Sequence, residues 1–344
     1  MGNGHFIKKM AQYTKSKNTN FKYLNYILKS KSHNRGVFVC GMMYKFFIAN
    51  ILFTGIILSQ GVLMEKIKAN NLEFDVRAAG LSNNGDAVIL LHGFPETSHM
   101  YKDLIILLSD NNYKVIAPDQ RGYSIGARPK SRNNYKIEYL VEDLFSLADV
   151  FNFEKFHLVG HDWGASIGWA AVSVEPNRII TWTPMSVPHL DAFAQVLDHD
   201  NDQKRMSRYI SFFKLPFIPE LFFSMNDYKN LISIWTESSN EEKEEYLKVF
   251  RKKDAIKSSL NWYRENVSIK NRKERSIGNI STTTQFIWGN NDIALGRKGA
   301  ELTEKYMKGN YNFVELDLGH WLIQEDYDTV SSLILNFIKE NSTK

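Results

Sequence analysis

Asp162 lies at the centre of the segment VGHDWGAS, which follows one apolar run and precedes another. Two glycines flank the aspartate at a spacing that permits a sharp turn between a strand and a helix, the arrangement known as a nucleophile elbow. A carboxylate at this position is ionised at neutral pH and needs no base for its attack. Attack on an acyl carbon would give a reactive anhydride, whereas attack on a saturated carbon gives an ordinary ester. The sequence therefore predicts a substrate with an electrophilic alkyl carbon and a leaving group, such as a halide or a strained ether oxygen.

Two further residues follow Asp162 in the chain order that such a nucleophile requires. Asp292 comes just after the predicted strand TTTQFIWG, and His320 comes just after the next predicted strand, NFVELDLG. We expect His320 to activate water against the ester and Asp292 to be the acid that supports it. His161, directly before the nucleophile, is expected only to pack beside the turn.

The segment LLHGFPE predicts the groups that stabilise the charge of the reaction. A sharp turn after this apolar strand leaves the backbone N–H of Phe94 free to point into the site. Together with the N–H of Trp163, it would form an oxyanion hole. A cis peptide bond before the proline of this segment would suit such a turn. We expect the neighbouring residues to support the turn: His92, Gly93, Pro95 and Glu96.

The elements around these motifs alternate between strand and helix from residue 65 onward. Apolar runs such as AVILLHG and FHLVGH read as buried strands, and helical patterns stand between them. This alternation predicts an α/β fold with a mostly parallel, doubly wound sheet, formed by residues 65–190 and 274–344. Residues 191–273 show helical patterns without a strong strand, which predicts a helical cap over the carboxyl ends of the strands.

The leaving group of the reaction should be visible in the predicted cap. A halide leaves without a proton, whereas an epoxide oxygen leaves as a basic alkoxide and needs a proton donor. A tyrosine hydroxyl can donate that proton, and the predicted cap contains Tyr209 in SRYISFFKLPF and Tyr263 in LNWYREN. A tyrosine in a cap most often only packs against its neighbours. The presence of these two tyrosines therefore does not by itself decide between an epoxide and a halide.

Five motifs make the chain resemble the epoxide hydrolases of the α/β-hydrolase superfamily over residues 65–340. They are HGFPE, HDWGA, NWYR, GNNDIAL and GHW. The resemblance implies a helical cap inserted before the last two strands. It implies Asp162 as nucleophile, with the roles already given for Asp292 and His320, and epoxide and water as the reactants. It implies neither cofactor nor metal ion.

The same resemblance assigns the two tyrosines of the cap to ring opening. Tyr263 matches through NWYR, and Tyr209 matches through the looser pattern Tyr-x-x-x-Phe-x-x-Pro. Phe217 departs from the family pattern, which often has glycine there, and this departure bears on how Tyr209 is aimed. Haloalkane dehalogenases are similar as well, but they often carry asparagine where Phe94 stands. Hydrolytic dehalogenation is therefore the alternative function, and a non-enzymatic binding protein on the same fold is the third.

Charge is distributed unevenly along the chain. Residues 1–64 contain nine lysines and arginines and no acid, whereas the remaining chain is slightly acidic, with 34 basic and 38 acidic residues. Nucleic-acid binding would need basic charge on the folded part, so we expect no nucleic-acid partner. The one cysteine, Cys40, lies in the basic segment, which excludes disulfides and thiol chemistry for the rest of the chain.

Residues 46–63 form an uncharged apolar stretch directly after Lys45. Its length suits either a signal peptide cleaved near Gly61 or a single membrane-contacting helix. The basic flank favours an N-terminus in the cytoplasm and a catalytic domain outside it. If the stretch is instead a packed helix of the domain, the protein is cytoplasmic.

Overall fold

The computed structural model of the chain describes residues 61–267 and 276–342, so most of the predicted targeting segment 46–63 lies outside the described residues. The described part is built on one eight-stranded sheet with the order β1-β2-β4-β3-β5-β6-β7-β8. The strands are β1 (Leu63–Ala69), β2 (Leu72–Ala79), β3 (Ala87–Leu91), β4 (Lys114–Pro118), β5 (Phe156–His161), β6 (Ile179–Met185), β7 (Thr284–Gly289) and β8 (Tyr311–Leu316).

Strands β3 to β8 are parallel, while β1 and β2 pair antiparallel at one edge. The central strands β3 and β5 are buried along their whole length, as expected for continuous apolar runs covered on both faces. The outermost strands are more exposed. The fold is therefore the predicted α/β class with a mostly parallel sheet.

The first strand of the sheet was not predicted. Leu63 and Met64, assigned from sequence to the N-terminal segment, belong to β1 and pair with Ala78 and Arg77 of β2. The hairpin turn is Asn70-Asn71, and both residues have positive φ, 46° and 59°. Asparagine tolerates this conformation, and two such residues in a row form the tight turn that best joins antiparallel strands. The sheet therefore begins two residues before the predicted domain boundary at 65.

Helices cover the sheet and fill the segment between β6 and β7. In chain order they are α1 (Lys102–Asp110), α2 (Ile137–Val150), α3 (Trp163–Val174), α4 (Leu190–His199), α5 (Asn201–Met206), α6 (Arg208–Phe213), α7 (Ile218–Ile232), α8 (Asn240–Phe250), α9 (Ala255–Asn266), α10 (Arg297–Leu302), α11 (Leu322–Glu325) and α12 (Tyr327–Asn341). Helices α4 to α9 all lie between β6 and β7, within or directly beside the range 191–273 that the sequence assigned to a helical insertion.

The topology fixes where a ligand can approach the sheet. The strand order reverses at β3, which lies between β4 and β5, and ligands of open α/β sheets bind at such a switch point, beyond the carboxyl ends of the strands. In the described part of the chain, no helix is both long enough and apolar enough to cross a bilayer.

Candidate active site

Asp162 occupies the sharp turn between β5 and α3. Its backbone has φ 50° and ψ −117°, a region that residues with a Cβ rarely adopt and that concentrates at functional sites. Tight packing explains the glycine two residues later, because a Cβ on Gly164 would stand 2.0 Å from the carbonyl oxygen of Leu91. The turn thus places the Asp162 side chain between the ends of β3 and β5, at the switch point of the sheet.

The chain after β3 supplies a donor to this carboxylate. The backbone N–H of Phe94 donates to Oδ1 of Asp162 at 2.8 Å. Gly93 permits the approach, since a Cβ there would lie 2.4 Å from the Cβ of Asp162. The Phe94–Pro95 peptide bond is cis, as predicted. Trp163 is the first residue of α3, so its N–H has no acceptor within the helix. Of the two predicted oxyanion donors, the N–H of Phe94 binds the Asp162 carboxylate directly, and the N–H of Trp163 belongs to the next residue in the sequence.

His320 lies between the two aspartates that the sequence grouped with it. Its Nδ1 is 2.8 Å from Oδ2 of Asp292, and its Nε2 is 3.8 Å from Oδ2 of Asp162. The other oxygen of Asp292 accepts from the backbone N–H groups of Ala294 and Leu295, at 2.7 and 3.0 Å. Asp292 is thus fixed by its own turn, and it fixes the ring of His320 so that Nε2 faces the predicted nucleophile.

Two side chains hold the backbone of His320, and neither of them was predicted to do so. The carbonyl oxygen of His320 lies 2.8 Å from Nε2 of His161 and accepts from Oγ of Ser186 at 3.0 Å. His161 also contacts Oε2 of the buried Glu96 at 3.2 Å through Nδ1. The prediction that His161 only packs is therefore wrong. Ser186 was not predicted as a site residue. Its position directly after β6, at the carboxyl end of a parallel strand, could have indicated one.

His92 contacts the turn of Phe94 from the side of the sheet. Its Nδ1 lies 2.9 Å from the carbonyl oxygen of Gly93, and its Nε2 accepts from the backbone N–H of Gln120 at 3.1 Å. Burial lowers the pKa of His92 to about 4. The ring is therefore neutral at physiological pH, with the proton on Nδ1. Its two hydrogen bonds link the turn after β3 to the backbone of Gln120.

The charges around His320 raise its pKa. Burial disfavours the imidazolium, but the negative charges of Asp292, Asp162 and Glu96 outweigh burial and bring the pKa to about 9. The imidazole is consequently protonated at neutral pH. The contribution of Asp162 depends on the charge of its carboxylate, so it would be lost if that carboxylate were neutralised.

The helical insertion brings Tyr209 and Tyr263 to the Asp162 carboxylate. All three side chains line one cavity, and the two tyrosine rings are 6.2 Å apart between centroids. The Tyr263 ring packs edge-on against Trp163 at 5.0 Å. Burial, followed by the negative charge of Asp162, raises the pKa of both hydroxyls above the ordinary tyrosine value. Both hydroxyls therefore carry their protons at any physiological pH.

The departure at Phe217 does not displace the first tyrosine from the cavity. Phe217 has φ 63°, a conformation that favours glycine, and its side chain is 78% exposed. The turn is tied to the helix of Tyr263 by Arg264, which pairs with Glu220 at 2.7 Å and donates to the Leu215 carbonyl oxygen at 2.6 Å. The turn keeps its shape without glycine because these contacts hold it.

The cavity at Asp162 has a volume of about 180 Å³ and an apolar wall. Trp163 and Ser166 of α3 line the cavity next to the sheet. Most of the side chains that line it from the helical insertion are aliphatic. The apolar lining residues are Ile137, Ala170, Val187, Leu190, Phe193, Ala194, Leu197, Ile210, Val267, Ile277 and Leu295. Among the described residues, no group of three or more histidine, cysteine, aspartate or glutamate side chains could hold a metal ion.

Known proteins resemble this chain in sequence. The model of the family described as the alpha/beta hydrolase fold matches residues 86–327. The human protein named Epoxide hydrolase 4 is 32% identical over 291 residues, which cover 81% of this chain and 79% of the human protein. The protein of Bacillus subtilis named AB hydrolase superfamily protein YfhM is 33% identical over 286 residues, which cover 81% of this chain and 99% of that protein.

A solved structure resembles the chain in fold. The epoxide hydrolase of Bacillus megaterium, crystallised with an inhibitor, superposes with a TM-score of 0.74 at 23% sequence identity. The match covers 80% of this chain and 100% of the bacterial one. At this identity the likeness shows a shared fold.

Proposed function

The chain belongs to the α/β-hydrolase fold family, and we propose that it is an epoxide hydrolase that acts through a covalent ester on Asp162. One observation carries the proposal: a carboxylate on the elbow faces His320 at 3.8 Å and shares its cavity with two protonated tyrosines. A serine elbow would suit acyl substrates, whereas a carboxylate and two proton donors suit a strained ether. Named relatives with 32% identity over most of the chain support the same activity.

Ring opening begins with attack by Asp162 on one carbon of the epoxide. Oδ1 of the carboxylate is bound by the N–H of Phe94, so Oδ2 is the attacking oxygen and Oδ1 becomes the carbonyl oxygen of the ester. The carbon–oxygen bond of the ring breaks, and the leaving oxygen takes a proton from Tyr209 or Tyr263. Burial remains the largest cause of the raised tyrosine pKa values, but the contribution of the Asp162 charge disappears as that charge passes to the substrate, so the hydroxyls become better acids.

Hydrolysis of the ester returns the enzyme to its starting state. Loss of the Asp162 charge removes one of the causes that raise the pKa of His320. The imidazolium then passes its proton, through solvent, to the tyrosinate that ring opening left, and the neutral imidazole acts as a base. Nε2 of His320 takes a proton from a water molecule as the water attacks the carbonyl carbon of the ester. The N–H groups of Phe94 and Trp163 stabilise the tetrahedral oxyanion. Collapse of this intermediate breaks the bond between the ester carbon and the substrate oxygen, and that oxygen takes the proton of the new carboxyl group. The diol leaves with a second hydroxyl oxygen that came from Asp162, while Asp162 returns as a carboxylate and His320 as an imidazolium.

Removing the tyrosine hydroxyls tests the choice of an epoxide over a halide. Tyr209→Phe and Tyr263→Phe are each expected to slow diol formation by about 10²-fold or more, within the usual range of general acid catalysis, and the double variant should nearly abolish it. Diol and halide release from an epoxide and a matched haloalkane give the readout. Tyr228→Phe, in the insertion but not in the cavity lining, is the matched control. Full epoxide activity in both single variants, with halide release, would instead favour the dehalogenase alternative.

We also propose that the catalytic domain is exported or anchored outside the cytoplasm by residues 46–63. Cleavage near Gly61 would leave β1 intact, since the pairing with β2 begins at Leu63. A retained anchor would tether the domain through the same short connection. In cells expressing the full chain, external protease should digest the domain, or the domain should appear outside without its first residues. Full-length chain in the soluble cytoplasmic fraction would contradict both versions.

A further inference from the structure

The cavity at Asp162 has an uneven distribution of charge. Its described lining contains two carboxylates, those of Asp162 and Asp191, and no lysine, arginine or histidine. His320 adds a positive charge beside Asp162, but Asp292 balances it at 2.8 Å. Among the described lining residues, Asp191 is therefore the one charged group besides the Asp162 carboxylate, and the rest of that lining is mostly apolar.

Asp191 is fixed in place by neutral donors. Its Oδ2 accepts from Oγ of Ser276 at 2.8 Å and from the backbone N–H of Gly278 at 3.0 Å, and its Oδ1 accepts from the N–H of Ile277 at 3.2 Å. These contacts orient the carboxylate without cancelling its charge. Asp191 is half-buried and is the second residue of α4, at the point where the insertion begins.

The one amide side chain of the described cavity lining offers nothing to an anion. The Oδ1 of Asn266 accepts from the backbone N–H of Ile137 at 2.7 Å. Its Nδ2 donates to the carbonyl oxygens of Tyr135 and Trp262, at 2.8 and 2.9 Å. A negative group in the cavity would thus lose its hydration, meet the charge of Asp191 and gain no donor from this amide.

We propose that Asp191 is a specificity-determining residue that restricts the site to epoxides whose substituent carries no negative charge. This inference rests on the proposed epoxide hydrolase function. The cavity volume of about 180 Å³ fits a compact apolar group such as a phenyl ring, since an apolar cavity of about 150 Å³ holds benzene. Neutral aryl and alkyl epoxides are the substrate class, and epoxides whose substituent carries a carboxylate are disfavoured.

Two substrates of equal size isolate the effect of charge. The para-carboxamide and the para-carboxylate of styrene oxide differ in charge but hardly in volume, and kcat/KM for diol formation is measured for both with the full chain. We expect the neutral amide to be favoured by about tenfold or more, because juxtaposed like charges disfavour binding strongly. In Asp191→Asn this ratio should fall toward one, whatever the change in absolute rate.

Two variants separate charge from structure. Ser276→Ala removes one hydrogen bond to Asp191 but leaves its charge, and Asp202→Asn removes an exposed carboxylate of the insertion that does not line the cavity. Both should keep the wild-type ratio. Equal kcat/KM values in the wild type, or an unchanged ratio in Asp191→Asn, would overturn the inference while the proposed function stands. A wild type that hydrolyses neither compound nor styrene oxide itself would contradict the proposed function.

Discussion

Replacement of Asp162 by asparagine is expected to reduce epoxide hydrolysis to the uncatalysed background, a loss on the order of 10⁶-fold. The amide keeps the shape of the side chain, and its oxygen can still accept from the N–H of Phe94, but it has no charged oxygen to attack the ring. His320 and the tyrosines remain in place and cannot open the ring alone. Diol formation under saturating styrene oxide is the measurement.

Fold integrity is the control for this variant. Circular dichroism and the thermal unfolding midpoint of Asp162→Asn should remain those of a folded protein, and Asp162→Ala should be equally inactive. Asp202→Asn, an exposed carboxylate outside the cavity, should keep full activity. More than a few per cent of wild-type activity in both Asp162 variants would exclude this carboxylate as the nucleophile.

Replacement of His320 by glutamine is expected to separate the two halves of the reaction. Ring opening needs Asp162 and the tyrosines, so it should still occur, whereas hydrolysis of the ester loses its base. The ester should therefore accumulate, and the intact mass of the protein should rise by the mass of one epoxide. Steady-state turnover should fall by about 10³-fold or more, since general base catalysis contributes typically 10²–10⁴-fold.

The double variant Asp162→Ala with His320→Gln supplies the control for this experiment. It should gain no mass under the same conditions, which would locate the adduct on Asp162. Peptide mapping of the single variant should find the added mass in the segment that contains VGHDWGAS. Consumption of epoxide by His320→Gln at the wild-type rate, without any adduct, would be incompatible with a role of His320 in ester hydrolysis.

The three residues at the centre of the candidate site were predictable because each of them follows the end of a strand. Asp162, Asp292 and His320 each follow a segment whose sequence predicts a strand, and parallel strands bring their carboxyl ends to one edge of the sheet. The turn at Phe94 was predictable for the same reason. The distances of 2.8 and 3.8 Å around His320 then follow from the register of neighbouring strands and from the turns after them.

Contacts between segments remote in sequence were not predictable in the same way. Ser186 and His161 hold the backbone of His320 from other strands, and Asp191 meets Ser276 across an insertion of more than eighty residues. No local pattern encodes these pairs, because serine, histidine and aspartate also occur as solvent-exposed turn residues. The strand Leu63–Ala69 was missed because its charged residues alternate on an exposed edge, where no apolar run marks a strand.

A single turnover in water enriched in oxygen-18 tests the covalent ester most directly. With enzyme in excess over styrene oxide, the water that attacks the ester delivers its oxygen to Asp162, and the diol receives an oxygen that the carboxylate held before. We predict that the diol from the first turnover contains no label from water and that the peptide containing Asp162 gains one heavy oxygen. A first-turnover diol labelled with oxygen-18, together with an unlabelled Asp162, would mean that water attacks the epoxide directly and would contradict the mechanism.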